Sequence, residues 1–238
     1  MMKTTLAIAI STLLIGAPLS ALAKDHSPVP TPLTSSTYAP QWTIPAECKD
    51  PLAEKYIAGL QSGKFTLANI KADDTIAKDK RNWLTFDDSG KNVVECKDGD
   101  IKNSPSNYCW KELSDSPSVM GIVSMGKTDH APHFHPQGEC YYIADGKTET
   151  LAQNQMQTIE KGQYFFINDY AIHNIPNLND EKLTIFYWYP GDANWGSFKY
   201  YWKSDVENHQ PAEAAFDKVD VIRQAAWGFG PYGTENLK

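Results

Sequence analysis

Gly126-Lys-Thr-Asp-His130-Ala-Pro-His133-Phe-His135-Pro-Gln-Gly-Glu139-Cys-Tyr141-Tyr-Ile-Ala-Asp-Gly146 is the stretch that decides how this chain is read. Alternate side chains of a β-strand point to one face. As a regular strand the stretch turns His133, His135, Gln137, Glu139 and Tyr141 the same way. Two imidazoles and a carboxylate on one face are a donor set for a divalent transition metal. Six histidines occur in the chain, and four of them fall between residues 130 and 173. His173 is the leading candidate for a third imidazole. The expected ligands are therefore His133, His135, Glu139 and His173, holding one divalent ion. Zinc, iron, manganese and nickel all accept that set.

The spacing carries a resemblance. Glycine, His-x-His, a short gap, glutamate, six residues and glycine resembles the first motif of the cupin superfamily, matched by His133, His135, Glu139 and Gly146, with Gly126 one residue further away than usual. Gly162-Gln-Tyr-Phe-Phe-Ile-Asn168-Asp-Tyr170-Ala-Ile-His173-Asn-Ile-Pro-Asn177 is similar to the second motif through Gly162, His173 and Asn177. Asn168 stands where proline is usual, and Tyr170 where glycine is usual. The resemblance implies an all-β jelly-roll barrel with a metal inside it.

Pattern outside the motifs agrees with an all-β class. Val119 to Met125, Cys140 to Ala144, Thr148 to Ala152, Met156 to Ile159, Tyr164 to Ile167 and Leu183 to Tyr189 are short runs rich in β-branched and aromatic residues. Turn signals such as Asp145-Gly146 separate them. Upstream, Asp50 is a predicted N-cap and Pro51 a first helical residue, with Leu52, Tyr56, Ile57 and Leu60 on one stripe. Phe65 to Ile70 is ambiguous between helix and strand. The expected layout is a signal peptide over 1–23, an N-terminal extension over 24–115, a single barrel over 116–200 and a helical or irregular C-terminal extension over 201–238. The signal reading rests on Lys3, the apolar run Leu6 to Ile15 and the small-residue site Ala21-Leu22-Ala23. That run is too short to span a bilayer, which takes about 20 apolar residues. A periplasmic or secreted protein with no membrane contact after cleavage is expected.

Composition narrows the partners. Net charge is −7, and the only arginines are Arg81 and Arg223, so no basic stripe exists to neutralise nucleic-acid phosphates. A small molecule is the expected partner, and pairing of two copies through edge strands is left open. Four cysteines in an exported chain suggest disulfides. Cys96 and Cys109 flank a polar loop and are the favoured pair. Cys140 either joins Cys48 or stays a buried thiol.

Tyr141 follows Glu139 by two, hence on the same face. A cation beside a phenol favours its ionised form, so Tyr141 is the candidate general base. His-x-His-x-x-x-Glu-x-Tyr with a later histidine is similar to the cupin lyases that cleave dimethylsulfoniopropionate (DMSP) to dimethyl sulfide and acrylate. Tyr189-Pro-Gly-Asp192 resembles a segment of theirs that opens with tryptophan. The resemblance implies a carboxylate substrate at the metal and a β-elimination begun by Tyr141. Trp188, Tyr187, Tyr189 and Trp195 are candidate aromatic walls for a sulfonium cation, of which only alternate strand members face inward. His130 is a candidate substrate contact or a loop residue. An iron dioxygenase, a sugar-acid isomerase and a non-catalytic binding protein are the alternatives within the same fold.

Overall fold

The structure, a computed structural model, describes residues 39–89, 92–128, 130, 132–152, 155–191 and 201–202. The expected signal peptide and C-terminal extension beyond residue 202, and Trp195, lie outside the described residues. Among the described residues no helix is long and apolar enough to cross a membrane.

Among the described residues eleven strands and one α-helix are seen. They are α1 (Pro51–Gln61), β1 (Leu84–Phe86), β2 (Val93–Glu95), β3 (Tyr108–Ser114), β4 (Val119–Met125), β5 (His133–Phe134), β6 (Glu139–Asp145), β7 (Lys147–Ala152), β8 (Gln155–Glu160), β9 (Tyr164–Ile167), β10 (Leu183–Tyr189) and β11 (Tyr201–Trp202). Seven of these strands form one sheet in the order β2-β1-β3-β4-β10-β6-β9, antiparallel throughout. The sheet reaches back across residue 115: β1, β2 and β3 belong to it, so part of the N-terminal half is barrel wall. The facing layer holds β5 with β11, β7 with β8, and the segment 173–177. Thr148 and Thr150 of β7 donate their hydroxyls to the carbonyls of Pro176 and Asn174, tying that layer together. Gly146 turns β6 into β7 at φ +82, where a Cβ would sit 2.5 Å from the Lys182 carbonyl oxygen. That is why the position takes glycine.

Alternation divides the large sheet's side chains into two cores. Tyr108, Trp110, Val119, Val123, Met125, Tyr141, Ile143, Phe165, Ile167, Leu183, Ile185, Tyr187 and Tyr189 turn inward, where Ile159, Ala171 and Ile175 of the facing layer meet them. Met120, Ile122, Cys140, Tyr142, Phe166, Phe186 and Trp188 turn outward. An outward apolar face must be covered, and α1 covers it: Ala53, Tyr56 and Ile57 belong to the same cluster. Asp50 caps the helix as expected, its Oδ1 accepting from the Leu52 and Ala53 amides at 2.8 and 3.0 Å. Such a cap contributes about 1 kcal/mol. Its Oδ2 accepts from the Ser118 hydroxyl at 2.6 Å, which fixes the helix start to the head of β4. The ambiguous stretch at Phe65 to Ile70 forms neither helix nor strand.

Both disulfides close, Cys96 with Cys109 and Cys48 with Cys140, so Cys140 is bonded. This pairing is compatible with an oxidising compartment.

Candidate metal centre

The stretch that opened the sequence reading is not one regular strand. β5 ends at Phe134 and β6 begins at Glu139, with His135 to Gly138 making a turn between them. Pro136 removes a ladder donor there, and the His135 ring closes the turn through its Nδ1, 2.7 Å from the Gln137 carbonyl oxygen. The ligand side chains still converge, because the turn bends His135 back over Glu139.

His133 is set by its neighbours. Its amide donates to the His173 carbonyl at 2.9 Å and its carbonyl accepts from the His173 amide at 2.8 Å. The two are thus a hydrogen-bonded cross-strand pair, with rings 4.3 Å apart between centroids. On its other side His133 pairs with Trp202 of β11. Tyr170 takes φ +59, and its amide donates to the His135 carbonyl at 2.7 Å. The tyrosine that departs from the glycine of the second motif therefore adopts the left-handed backbone that favours glycine.

The ring nitrogens of His133, His135 and His173 that can act as ligands lie within 4.8 Å of one another, and all three residues are buried. Glu139 Oε2 lies 3.2 Å from Nε2 of His135 and 3.1 Å from Nε2 of His173. His173 Nδ1 lies 2.8 Å from the Ala171 carbonyl oxygen, as His135 Nδ1 does from that of Gln137. A carbonyl only accepts, so each Nδ1 carries the proton and each Nε2 presents a lone pair. Two lone pairs and a carboxylate oxygen cannot satisfy one another without a cation or extra protons. This is the donor set of a divalent metal site, with the outer-shell carbonyls that orient ligand imidazoles.

Electrostatics agree. Burial alone would push the Glu139 carboxyl up, but a proton on Nε2 of His135 and of His173 gives hydrogen bonds and positive charge that hold it well below the usual carboxylate range. Burial lowers the His135 imidazole, against the opposing pull of Glu139. Both groups are thus kept in the states that bind a metal, carboxylate and neutral imidazole.

The other sequence candidates separate by face. Tyr141 turns inward, its ring 6.5 Å from that of His173. Tyr187 lies opposite it on β10, also inward. Tyr189 packs edge-on against His135 at 5.5 Å. Trp188 is elsewhere: it turns outward under the N-terminal segment, and its indole N–H donates to the Cys48 carbonyl at 2.9 Å. Strand alternation excludes it from any site that Tyr187 lines. The His130 ring lies 5.0 Å from that of His133, and its Nδ1 accepts from the Ile175 amide at 3.1 Å. It thereby fastens its loop to the chain just after His173. Glu112 and Trp110 were not singled out by sequence. Both turn inward from β3, and both carry a buried polar atom, Oε1 and Nε1, with no hydrogen-bond partner. A polar residue two after Trp110 and four after Tyr108, on the same face of the strand, was the available signal.

No curated protein matches the chain in sequence. Among solved structures, a chain from the crystal structures of the DMSP lyases RdDddP and RnDddQII is similar at 21% identity and a TM-score of 0.33, over 36% of this chain and 48% of that one. Salicylate 1,2-dioxygenase from Pseudoaminobacter salicylatoxidans with gentisate is similar at 9% identity and a TM-score of 0.37, over 43% of this chain and 31% of that one. KdgF from Halomonas sp. is similar at 18% identity and 0.33, over 35% and 79%. This chain thus spans less than half the length of the first two. The family model described as "Cupin domain" matches residues 121–189, which run from β4 through β10 and include all four expected ligands. Residues 121–189 thus match a cupin domain, and the antiparallel barrel they help build, with the metal-type donor set inside it, is the fold that match describes.

Proposed function

We propose that this protein is a metal-dependent lyase that carries out β-elimination on a small carboxylate, with DMSP as the substrate to test first. The observation that carries the reading is the placement of Tyr141: inward, buried, and one ring away from His173. His133, His135, Glu139 and His173 would hold the metal, which supplies a positive charge that polarises a carboxylate bound beside it and acidifies its α-hydrogen.

The chain's own residues then do the following. Tyr141, as phenolate, takes the α-proton on its oxygen. The C–H electron pair becomes the new carbon–carbon double bond, and the β-carbon–sulfur bond breaks with its pair leaving on sulfur. Acrylate and neutral dimethyl sulfide result, and Tyr141 must lose the proton before the next turn. Tyr187 and Tyr189 line the inward face beside the centre and keep water from it. The extension over 24–115 would frame this barrel, and the signal reading at 1–23 would place the mature protein in the periplasm or outside the cell.

Headspace dimethyl sulfide from protein loaded separately with zinc, iron, manganese or nickel tests this, beside Tyr141→Phe. Release that needs the metal and disappears in the variant upholds the reading. Full metal content with no release from DMSP rejects the substrate, and oxygen uptake with ferrous protein then tests the dioxygenase alternative.

A further inference from the structure

One row of residues crosses the inward face of the large sheet: Glu112 on β3, Gly121 on β4, Tyr187 on β10, Tyr141 on β6 and Phe165 on β9, each the register partner of the next. Directly paired residues share a face, so Glu112 shares the barrel interior with Tyr187 and Tyr141. Gly121 shapes the middle of the row. A Cβ there would meet the Tyr187 hydroxyl oxygen at 2.3 Å. The Tyr187 phenol therefore lies across β4 and extends toward β3, where Glu112 is.

Glu112 is 3% exposed, and its Oε1 is buried with no hydrogen-bond partner. Two residues before it on the same face, Trp110 Nε1 is also buried and unpartnered. Leaving a buried polar atom unmet forfeits its hydration with nothing in return, and orphaned atoms in a native interior call for an explanation. Ring contacts link Tyr187 to the metal centre. Tyr189, against His135, touches Tyr187 with ring centroids 6.0 Å apart, and inward residues two apart on a strand are separated by about 7 Å.

We propose that Glu112 is the counter-ion for a cationic group of the ligand, so that the barrel takes small carboxylates that also carry an onium or ammonium charge. This rests on the metal centre binding the ligand's carboxylate. Aromatic rings beside a single buried carboxylate stabilise a weakly hydrated cation through both the ring faces and the full charge. Burial pushes the Glu112 carboxyl up to about 8, with Lys80 opposing the rise and Asp115 adding to it. An acid so held stays neutral until a cation arrives to stabilise its charge.

The test is calorimetric binding to the metal-loaded protein of two pairs of equal shape and different charge. The first pair is trimethylglycine and 3,3-dimethylbutanoate, neither of which can undergo β-elimination. The second is DMSP and 4-methylpentanoate, measured on the Tyr141→Phe protein so that no turnover intervenes. The cationic member is expected to bind about tenfold tighter or more. Glu112→Gln should erase that preference while keeping metal content and the affinity for the neutral member. Equal binding of the two members, a preference that survives Glu112→Gln, or no binding of either pair overturns the proposal. Dimethyl sulfide release does not enter, so the cation preference can hold while the lyase reading fails, and the reverse.

Discussion

His133 and His173 exchange both backbone hydrogen bonds, so the two imidazoles that begin and complete the donor set are held side by side by main chain rather than by side-chain packing. The placement survives loss of either ring. Replacing His173 with alanine is therefore expected to keep the fold and to lower metal affinity by at least 10–100-fold, roughly the cost of even an outer-shell loss. Metal per chain after dialysis, with circular dichroism alongside, checks this. Full metal content in His173→Ala or Glu139→Ala would remove those residues from the ligand set.

Acid should release the metal and weaken the fold together. The Glu139 carboxyl is held low in the folded chain, so its contribution is present above the ordinary carboxylate pKa and lost as pH falls through the folded value. The His135 imidazole is also lowered, by burial, so the unfolded chain takes up its proton first as pH drops below the ordinary value of 6.5. Both signs agree. Melting temperature and bound metal are expected to fall together on acidification from pH 7, and a melting curve flat down to pH 4 would contradict it.

Glu112 has the opposite sign. Its carboxyl is raised by burial from 4.5 to about 8, so the unfolded chain ionises first. Stability is lost as pH rises between those values and is level outside them. Glu112→Gln removes this penalty and should stabilise the ligand-free protein by about 2–4 kcal/mol at pH 8 and by little near pH 4. Thermal melts of both proteins at the two pH values decide it.

Gly121→Ala should do damage out of proportion to one methyl group. The added carbon would overlap the Tyr187 hydroxyl and ring, at 2.3 and 2.4 Å. Overpacking of this kind costs about 1–3 kcal/mol. The variant is expected to melt earlier with its metal content intact, since none of the four expected ligands lies on β4.

Tyr170→Gly should act the other way. A non-glycine residue in the left-handed region costs about 1–2 kcal/mol, and the turn at Tyr170 needs only its backbone amide. A modest rise in unfolding free energy at unchanged metal content is the expected result of chemical denaturation.

Much of the fold was legible because its signals are local. Asp50-Pro51 marked the start of α1, and short runs rich in β-branched and aromatic residues marked β4, β6, β9 and β10 to within a residue or two. The meeting of His133, His135, Glu139 and His173 was legible because spacing alone nearly specifies it. What was less legible depended on contacts between distant segments. The turn at Pro136 and Gly138 broke the expected single strand, yet convergence survived because β6 re-enters with Glu139 inward. Trp188 looked as good a wall as Tyr187, since composition cannot tell the two faces of an aromatic strand apart. The outward face became a core only through α1 and Cys48. Glu112 carried no motif, and its meaning rests on the register of β3 against β4 and β10.

The bond between Cys48 and Cys140 joins residues 92 positions apart. Cys140 is the outward neighbour of Glu139, and Cys48 lies just ahead of α1. The helix consequently cannot peel away from the sheet without pulling on the strand that carries the carboxylate. Extension and barrel, separable on paper as modules, are bound to melt as one cooperative unit: a single calorimetric transition while the crosslink holds, and a breathing N-terminus that comes away ahead of the barrel once it is reduced.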